Sequence, residues 1–306
     1  VSAKQLRVFC FFFSKKKYFL PSLLRRDMSR ISTRFAQLRA EGRGALIPFL
    51  EAFDPDRQTS AAILRGMPAA GADLIEIGMP FTDPMADGPT IQAAGRRGLL
   101  AGATLAGTLE MVREFRTCDD ATPVILMGYL NPLLAYGIPR FCDDATAAGV
   151  DGLIVVDLPS EESALLAPDA ARTNIDIIRL VAPTTSDARL RQVLEGSSGF
   201  VYYVSITGIT GTRSATAADL AAAIPRIRRA TDLPIAIGFG VKTPAQAAEA
   251  ARAADGAVVA SSLIETLAAS LVDGRAPPGT IEKILTQITH LATAVRAART
   301  QTTEAA

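Results

Sequence analysis

Residues 234–262 read PIAIGFGVKTPAQAAEAARAADGAVVASS, and they hold one complete structural unit. The apolar run PIAIGFG ends in glycines. Thr243 and Pro244 follow as the N-cap and first residue of a helix, and the chain then returns to a second apolar run, GAVVASS. Both runs are almost continuously apolar, as strands covered on both faces must be. A helical connection of this length favours parallel pairing.

The same unit recurs upstream. ALIPFLEAF from Ala45, ADLIEIGM, PVILMGY, GLIVVD, DIIRLVA and FVYYVS bring the strand candidates to eight. Helical patterns lie between them, for instance Leu105, Leu109 and Val112 at i, i+4, i+7. Eight such units predict an α/β fold, a single (β/α)8 TIM barrel over residues 28–300. Ile31, Phe35 and Leu38 mark an extra N-terminal helix, ended by Gly42 and Gly44, that is placed to plug the barrel floor. A last helical pattern runs from Thr280 to about Arg299, and residues 301–306 read as a frayed polar tail. A doubly wound open sheet is the main alternative. It is disfavoured because no GxGxxG opens the first unit and no large second domain is left over.

The chain has 306 residues, 49% of them hydrophobic and 21% charged, with 23 glycines and 18 prolines, which excludes extended disorder. Residues 1–27 hold seven basic residues against Asp27, so the net charge of +1 leaves a mildly acidic remainder. With no basic stripe, nucleic acid and anionic membranes are disfavoured as partners. No apolar run approaches the roughly 18 residues of a membrane span. Cys10, Cys118 and Cys142 are odd in number and irregular in spacing, fitting neither a disulfide framework nor a zinc site, and are expected as core fillers in a reducing cytoplasm.

Residues 1–27 carry five of the 13 phenylalanines and four of the six lysines. They fail as a signal peptide, because Val8–Phe13 is too short an apolar stretch and no small-residue cleavage pattern follows. A transit peptide and upstream sequence translated from too early a start both remain; we take the second, since Met28 opens ordinary protein sequence. Residues 1–27 are expected to lie outside the fold.

In a barrel the chemistry sits where strands end. In Asp73–Met79, Ile75, Ile77 and Met79 share one face and Leu74, Glu76 and Gly78 the other, so an apolar face turned to the helices sends Glu76 inward. A buried carboxylate costs several kcal/mol unless paired, so Glu76 is either functional or satisfied by an arginine such as Arg179. The following loop returns Asp83 and Asp87 over the same mouth. Glu51 shares parity with Phe49 on the first strand; it either adds charge to the site or pairs with Arg179. Small-residue turns close the last three strands at Gly208–Gly211, Gly238–Gly240 and Ala260–Ser262. Ser262-Leu-Ile-Glu265 has capping-box spacing, which predicts a helix whose N–H groups aim at the mouth and hold an anion. Beyond residue 27 the lysines are Lys242 and Lys283, and the sole histidine is His290 in the last helix. A Schiff-base or zinc mechanism therefore lacks its residues, and His290 reads as a surface or packing residue.

IEIGMPFTDPMADGPTIQ, from Ile75 to Gln92, closely resembles the signature of the tryptophan synthase α subunit family. The likeness continues through PVILMGYLNPLLAYG, GVDGLIVVDLP, FVYYVSITGITG and LPIAIGFGVKTP, over about Ile31–Ser270. The resemblance implies a barrel lyase that cleaves indole-3-glycerol phosphate to indole and glyceraldehyde 3-phosphate. It implies Glu76 as general acid/base and Asp87 as the carboxylate holding the indole N–H; burial and like charge at the mouth are expected to raise the Glu76 pKa toward ambient pH, as a group acting first as acid and then as base requires. It places Phe49, Tyr129, Tyr202, Thr210 and Phe239 around the substrate, and Gly211, Gly240, Ala260 and Ser261 at the phosphate. It further implies no metal and no cofactor in this chain. The partner it implies is a pyridoxal phosphate-dependent β subunit, met through Pro80 and Asp83 in an αββα heterotetramer. Phe53 and Ala260 stand where the family usually has glycine, and Ile206 where some members have arginine. Two other readings remain: a stand-alone indole-releasing lyase, and a non-catalytic barrel that activates a partner.

Overall fold

The computed structural model describes residues 29–205, 216–238 and 240–299. The readings placed on residues 1–27 and 301–306, and on Ile206, Thr210, Gly211 and Phe239, lie outside the described residues.

The strands are β1 (Ala45–Glu51), β2 (Ile75–Gly78), β3 (Val124–Gly128), β4 (Gly152–Val155), β5 (Asp176–Ile177), β6 (Arg179–Val181), β7 (Val201–Val204), β8 (Ile235–Gly238) and β9 (Gly256–Val259). Their order is β5-β4-β3-β2-β1-β9-β8-β7-β6, and every pairing is parallel. The two ends of that order are separated in the chain by Ile178 alone, so the sheet closes on itself. All eight expected strands are present, with one correction: DIIRLVA is broken into β5 and β6. Its hydrogen bonds pass there from one neighbour to the other, since the Ile178 N–H still donates to Leu153 O on β4 at 3.0 Å while Arg179 is already in register with Val201 on β7.

The helices are α1 (Arg30–Ala40), α2 (Arg57–Ala70), α3 (Pro89–Leu100), α4 (Leu105–Arg116), α5 (Leu130–Tyr136), α6 (Ile138–Ala148), α7 (Ala167–Arg172), α8 (Asp187–Leu194), α9 (Ala217–Arg228), α10 (Pro244–Ala253), α11 (Ser261–Ser270) and α12 (Thr280–Ala297). The caps explain several of their starts. Thr243 closes a capping box with Gln246 at the head of α10, with Pro244 beside it as expected, and Thr216 and Asp219 do the same for α9. Among the described residues no helix is long and apolar enough to cross a membrane.

Strand parity divides the core into two layers. Leu46, Leu50, Ile75, Ile77 and Leu126 face the helices, while Ala45, Ile47, Leu74, Ile125, Ile154 and Ile178 fill the barrel interior. Ile31, Phe35 and Leu38 of α1 join that interior cluster, so α1 plugs the floor as its sequence suggested, with Phe35 and Phe200 ring centroids 5.8 Å apart. Side chains also tie the strand starts together. Asp73, Asp151 and Asp255 accept the backbone N–H of Leu46, Val124 and Ile235 at 2.8–2.9 Å, and Ser198 accepts that of Ile177 at 2.9 Å. Arg34 and Arg43 neutralise Asp73, and Arg30 and Arg116 neutralise Asp151. The expectation that the cysteines fill the core needs correcting at Cys118, which is exposed just past the end of α4; Cys142 on α6 is buried, and Cys10 lies outside the described residues.

Candidate active site

At the carboxyl ends of the strands the inner face of the barrel changes from apolar to acidic. On β2, Leu74 belongs to the interior cluster while Ile75, Ile77 and Met79 belong to the outer one, so Glu76 points into the barrel as its parity required. It is 1% exposed, and its Oε1 has no hydrogen-bond partner among the described residues. A carboxylate so placed resists ionisation, and burial lifts its pKa to about 8. Arg179 does not relieve it. That side chain shares the outer face of β6 with Val181 and donates to Leu158 O at 2.8 Å and to Ser163 Oγ, so the pairings considered for it with Glu76 and Glu51 are not formed.

Asp87 hangs over the same opening from the loop between β2 and α3. Burial raises its pKa to about 6, and a hydrogen bond from the Tyr129 hydroxyl partly offsets that rise. The same hydroxyl accepts the Ala86 N–H at 3.0 Å, which pins the loop to the end of β3. Of the two carboxyl groups at this mouth, Glu76 is thus raised further than Asp87. Burial favours the neutral acid most strongly at Glu76, while the Tyr129 hydroxyl favours the anion at Asp87.

Between them lies an apolar wall. Phe49, in register with Glu76, clusters with Ala94 and Ile264, and Ile91, Met127 and Ala260 close around it. Tyr202 is buried on the inner face of β7 and feels the Glu76 charge. Its phenol occupies the space that a side chain at Gly238 would fill. Ile91, Met127 and Ile264 were not anticipated as wall residues. For Met127 a signal existed, because it alternates with the inward Ile125 on β3; Ile91 and Ile264 come from helices laid over the mouth, and no local pattern reports that.

α11 begins at the end of β9, with Ala260 at its N-cap and Ser261 as its first residue. The expected capping box at Ser262 and Glu265 is not formed. The helix has already started when Ser262 is reached, Ser262 Oγ lies 3.5 Å from Gln287 Nε2, and Glu265 pairs with Lys242 at 3.0 Å. The anion-binding geometry survives the correction, since the first N–H groups of a helix have no carbonyl of their own to bond. Gly240, with φ of 80°, turns the chain after β8. Ala260 has φ of −119°, so a residue with a side chain fits where glycine is usual in the family.

Farther out on the rim, Asp83 is exposed, Pro80 is half-buried against α3, and Met85 is 83% exposed. Lys242 is engaged with Glu265, and Lys283 and His290 lie exposed on α12, away from the mouth. Among the described residues no three His, Cys, Asp or Glu side chains gather to hold a metal ion.

Residues 35–296 match the model of the family described as tryptophan synthase alpha chain. The chain belongs to that family. It is 69% identical over 273 residues to the tryptophan synthase alpha chain of Acidiphilium cryptum, covering 89% of this chain and 99% of that one. To the Granulibacter bethesdensis alpha chain it is 68% identical over 272 residues, covering 89% and 98%. Among solved structures it resembles the tryptophan synthase subunit alpha from Legionella pneumophila, with a TM-score of 0.79 at 35% identity over 88% of this chain and 98% of that one. A Mycobacterium tuberculosis tryptophan synthase structure gives a TM-score of 0.80 at 34% identity, over 88% and 99%. As a tryptophan synthase alpha chain the protein is a carbon–carbon lyase of tryptophan biosynthesis, cleaving indole-3-glycerol phosphate to indole and glyceraldehyde 3-phosphate. Membership also implies a β-subunit partner.

Proposed function

We propose that Glu76 performs both proton transfers of the cleavage and that Asp87 carries the positive charge that develops between them. The observation that carries this reading is a buried Glu76 with an unpartnered Oε1 on the inner face of β2, beside an Asp87 that the Tyr129 hydroxyl holds over the same mouth. Neutral Glu76 gives its proton to C3 of the indole, which makes the ring an iminium. Ionised Asp87 accepts the indole N–H and stabilises that cation. Glu76, now a carboxylate, takes the proton of the side-chain hydroxyl, whose oxygen becomes the aldehyde. The bond between C3 and the hydroxyl-bearing carbon breaks, and its electrons return to the ring. Every proton and electron is accounted for without a metal or a lysine.

Phe49, Tyr129 and Tyr202 form the aromatic wall of the indole pocket. Gly240, Ala260 and Ser261 offer backbone N–H groups to the phosphate, joined by Gly211. The family resemblance assigns Phe239 to the substrate and Thr210 to the loop linked to ordering of the acid; both lie outside the described residues. Pro80 and Asp83 are the contact points for the β subunit. That subunit holds the pyridoxal phosphate and receives the indole in a cytoplasmic αββα assembly.

The test is indole release from indole-3-glycerol phosphate by the full chain, with and without a β subunit, beside Glu76→Gln. Turnover that rises with β and falls by at least about 10³-fold in the variant is expected. Turnover in the variant equal to the parent's removes Glu76 from the mechanism.

A further inference from the structure

Glu51 is the acidic residue at the mouth that this mechanism leaves unused. It ends β1 on the same inner face as Phe49, one layer above Glu76, and is 5% exposed. Its carboxyl group fills the space over Gly78, where an added methyl would overlap Oε2 and stand 2.6 Å from Phe49 Cζ. Its other oxygen lies 3.6 Å from where a Cβ on Gly95 of α3 would sit. Two glycines on two elements therefore leave the room this one side chain occupies.

Charges face it from three directions: Asp54 from the turn after β1, Asp87 from the loop above, and Arg97 from α3. The only cation of the three is committed elsewhere, since Arg97 grips both oxygens of Asp54 at 2.6 and 2.7 Å. A buried carboxyl group with two like charges and no free counter-ion stays neutral. Burial first, then Asp87 and Asp54, push Glu51 well above the usual carboxylate range, and Arg97 only partly opposes them.

We propose that Glu51 is a positioning residue of the indole site: a neutral carboxyl wedge between β1, β2 and α3 that leaves Asp87 as the one charged carboxylate available to the indole N–H. The proposal rests on the assignment of Asp87 given above. Its consequence is a proton linkage. A bound indole covers the Phe49 wall and shuts water away from Glu51, so the complex requires the protonated form. Affinity then falls as pH rises past the point at which Glu51 ionises in the free protein, by up to tenfold per pH unit.

The experiment uses the full-length chain in a Glu76→Gln background, where cleavage is suppressed and Glu76 no longer titrates. Binding of indole-3-glycerol phosphate is followed from pH 7 to 10 with Glu51, with Glu51→Gln and with Glu51→Asp. With Glu51 the affinity falls as pH rises; with Gln it stays flat; with Asp the fall persists at a shifted pH. Coincident curves for Glu51 and Gln overturn the proposal, as does a fall that vanishes with Asp as fully as with Gln, because packing would then be the cause. Should the Gln variant not fold, Asp carries the test: a shifted fall supports the linkage and an unshifted one overturns it. Undiminished cleavage by Glu76→Gln alone would overturn the site assignment instead, so the two failures are distinct.

Discussion

Phe53 adopts φ of 65°, a left-handed conformation that glycine takes freely and other residues take at a cost of about 1–2 kcal/mol. The protein tolerates the strain because the ring is buried against Gly107, under Arg57, and the backbone N–H is held by Ser60 Oγ at 3.0 Å. Restoring the family's usual glycine relieves the strain and removes the ring, which is worth about 3–5 kcal/mol in such a site. Phe53→Gly is therefore expected to lose about 2 kcal/mol net in denaturant unfolding. Glu76 behaves in the opposite sense. Its pKa rises on folding to about 8, so its contribution is neutral in acid and becomes a penalty as pH climbs from the unfolded carboxylate range through 8. That penalty is on the order of 5 kcal/mol when complete. Glu76→Leu is expected to gain most of it at pH 9 and none of it at pH 4, read as the difference between two urea titrations.

At the scale of elements, β2 and β8 both end in glycine, and both glycines make space for a neighbouring strand's side chain. Gly78→Ala is expected to destabilise by about 1–3 kcal/mol through overpacking against Glu51 and Phe49. Adding Glu51→Ala should recover at least about 1 kcal/mol of it in a double-mutant cycle. These elements were largely legible in the sequence. The eight apolar runs, the Thr243 cap and the alternation that turns Glu76 inward are local signals, and a strand or a cap is a local object. The break at Ile178 was not legible, because no glycine or proline marks it within DIIRLVA and only the exchange of partners between β4 and β7 divides it. The capping box at Ser262 failed for a related reason: its spacing was right, but the strand before it delivers the chain to Ala260 already turning. Ile91 and Ile264 join the pocket wall by docking over the mouth, and no residue pattern within α3 or α11 announces where each will dock.

Across the whole molecule, stability and chemistry occupy opposite ends of one barrel. The floor holds its charges in pairs and spends them on strand N–H groups, whereas the mouth keeps carboxyl groups without counter-ions. Asp73→Ala leaves Arg34 and Arg43 without their shared partner and Leu46 N–H without its acceptor. The expected loss is about 3–5 kcal/mol of unfolding free energy, with kcat/KM at 25 °C unchanged in the fraction that stays folded. A fall in kcat/KM matching a mouth variant would show that the two ends are not separable. The α1 plug adds a consequence for traffic. Because Ile31, Phe35 and Leu38 seal one end, the barrel, among the described residues, opens toward the carboxyl ends of its strands. Among the described residues the rim of the open end carries Asp83 and Met85. Under the proposal that Pro80 and Asp83 meet the β subunit, the collector of the indole would sit on that same rim, so delivery of one product and admission of the next substrate would take turns at one threshold.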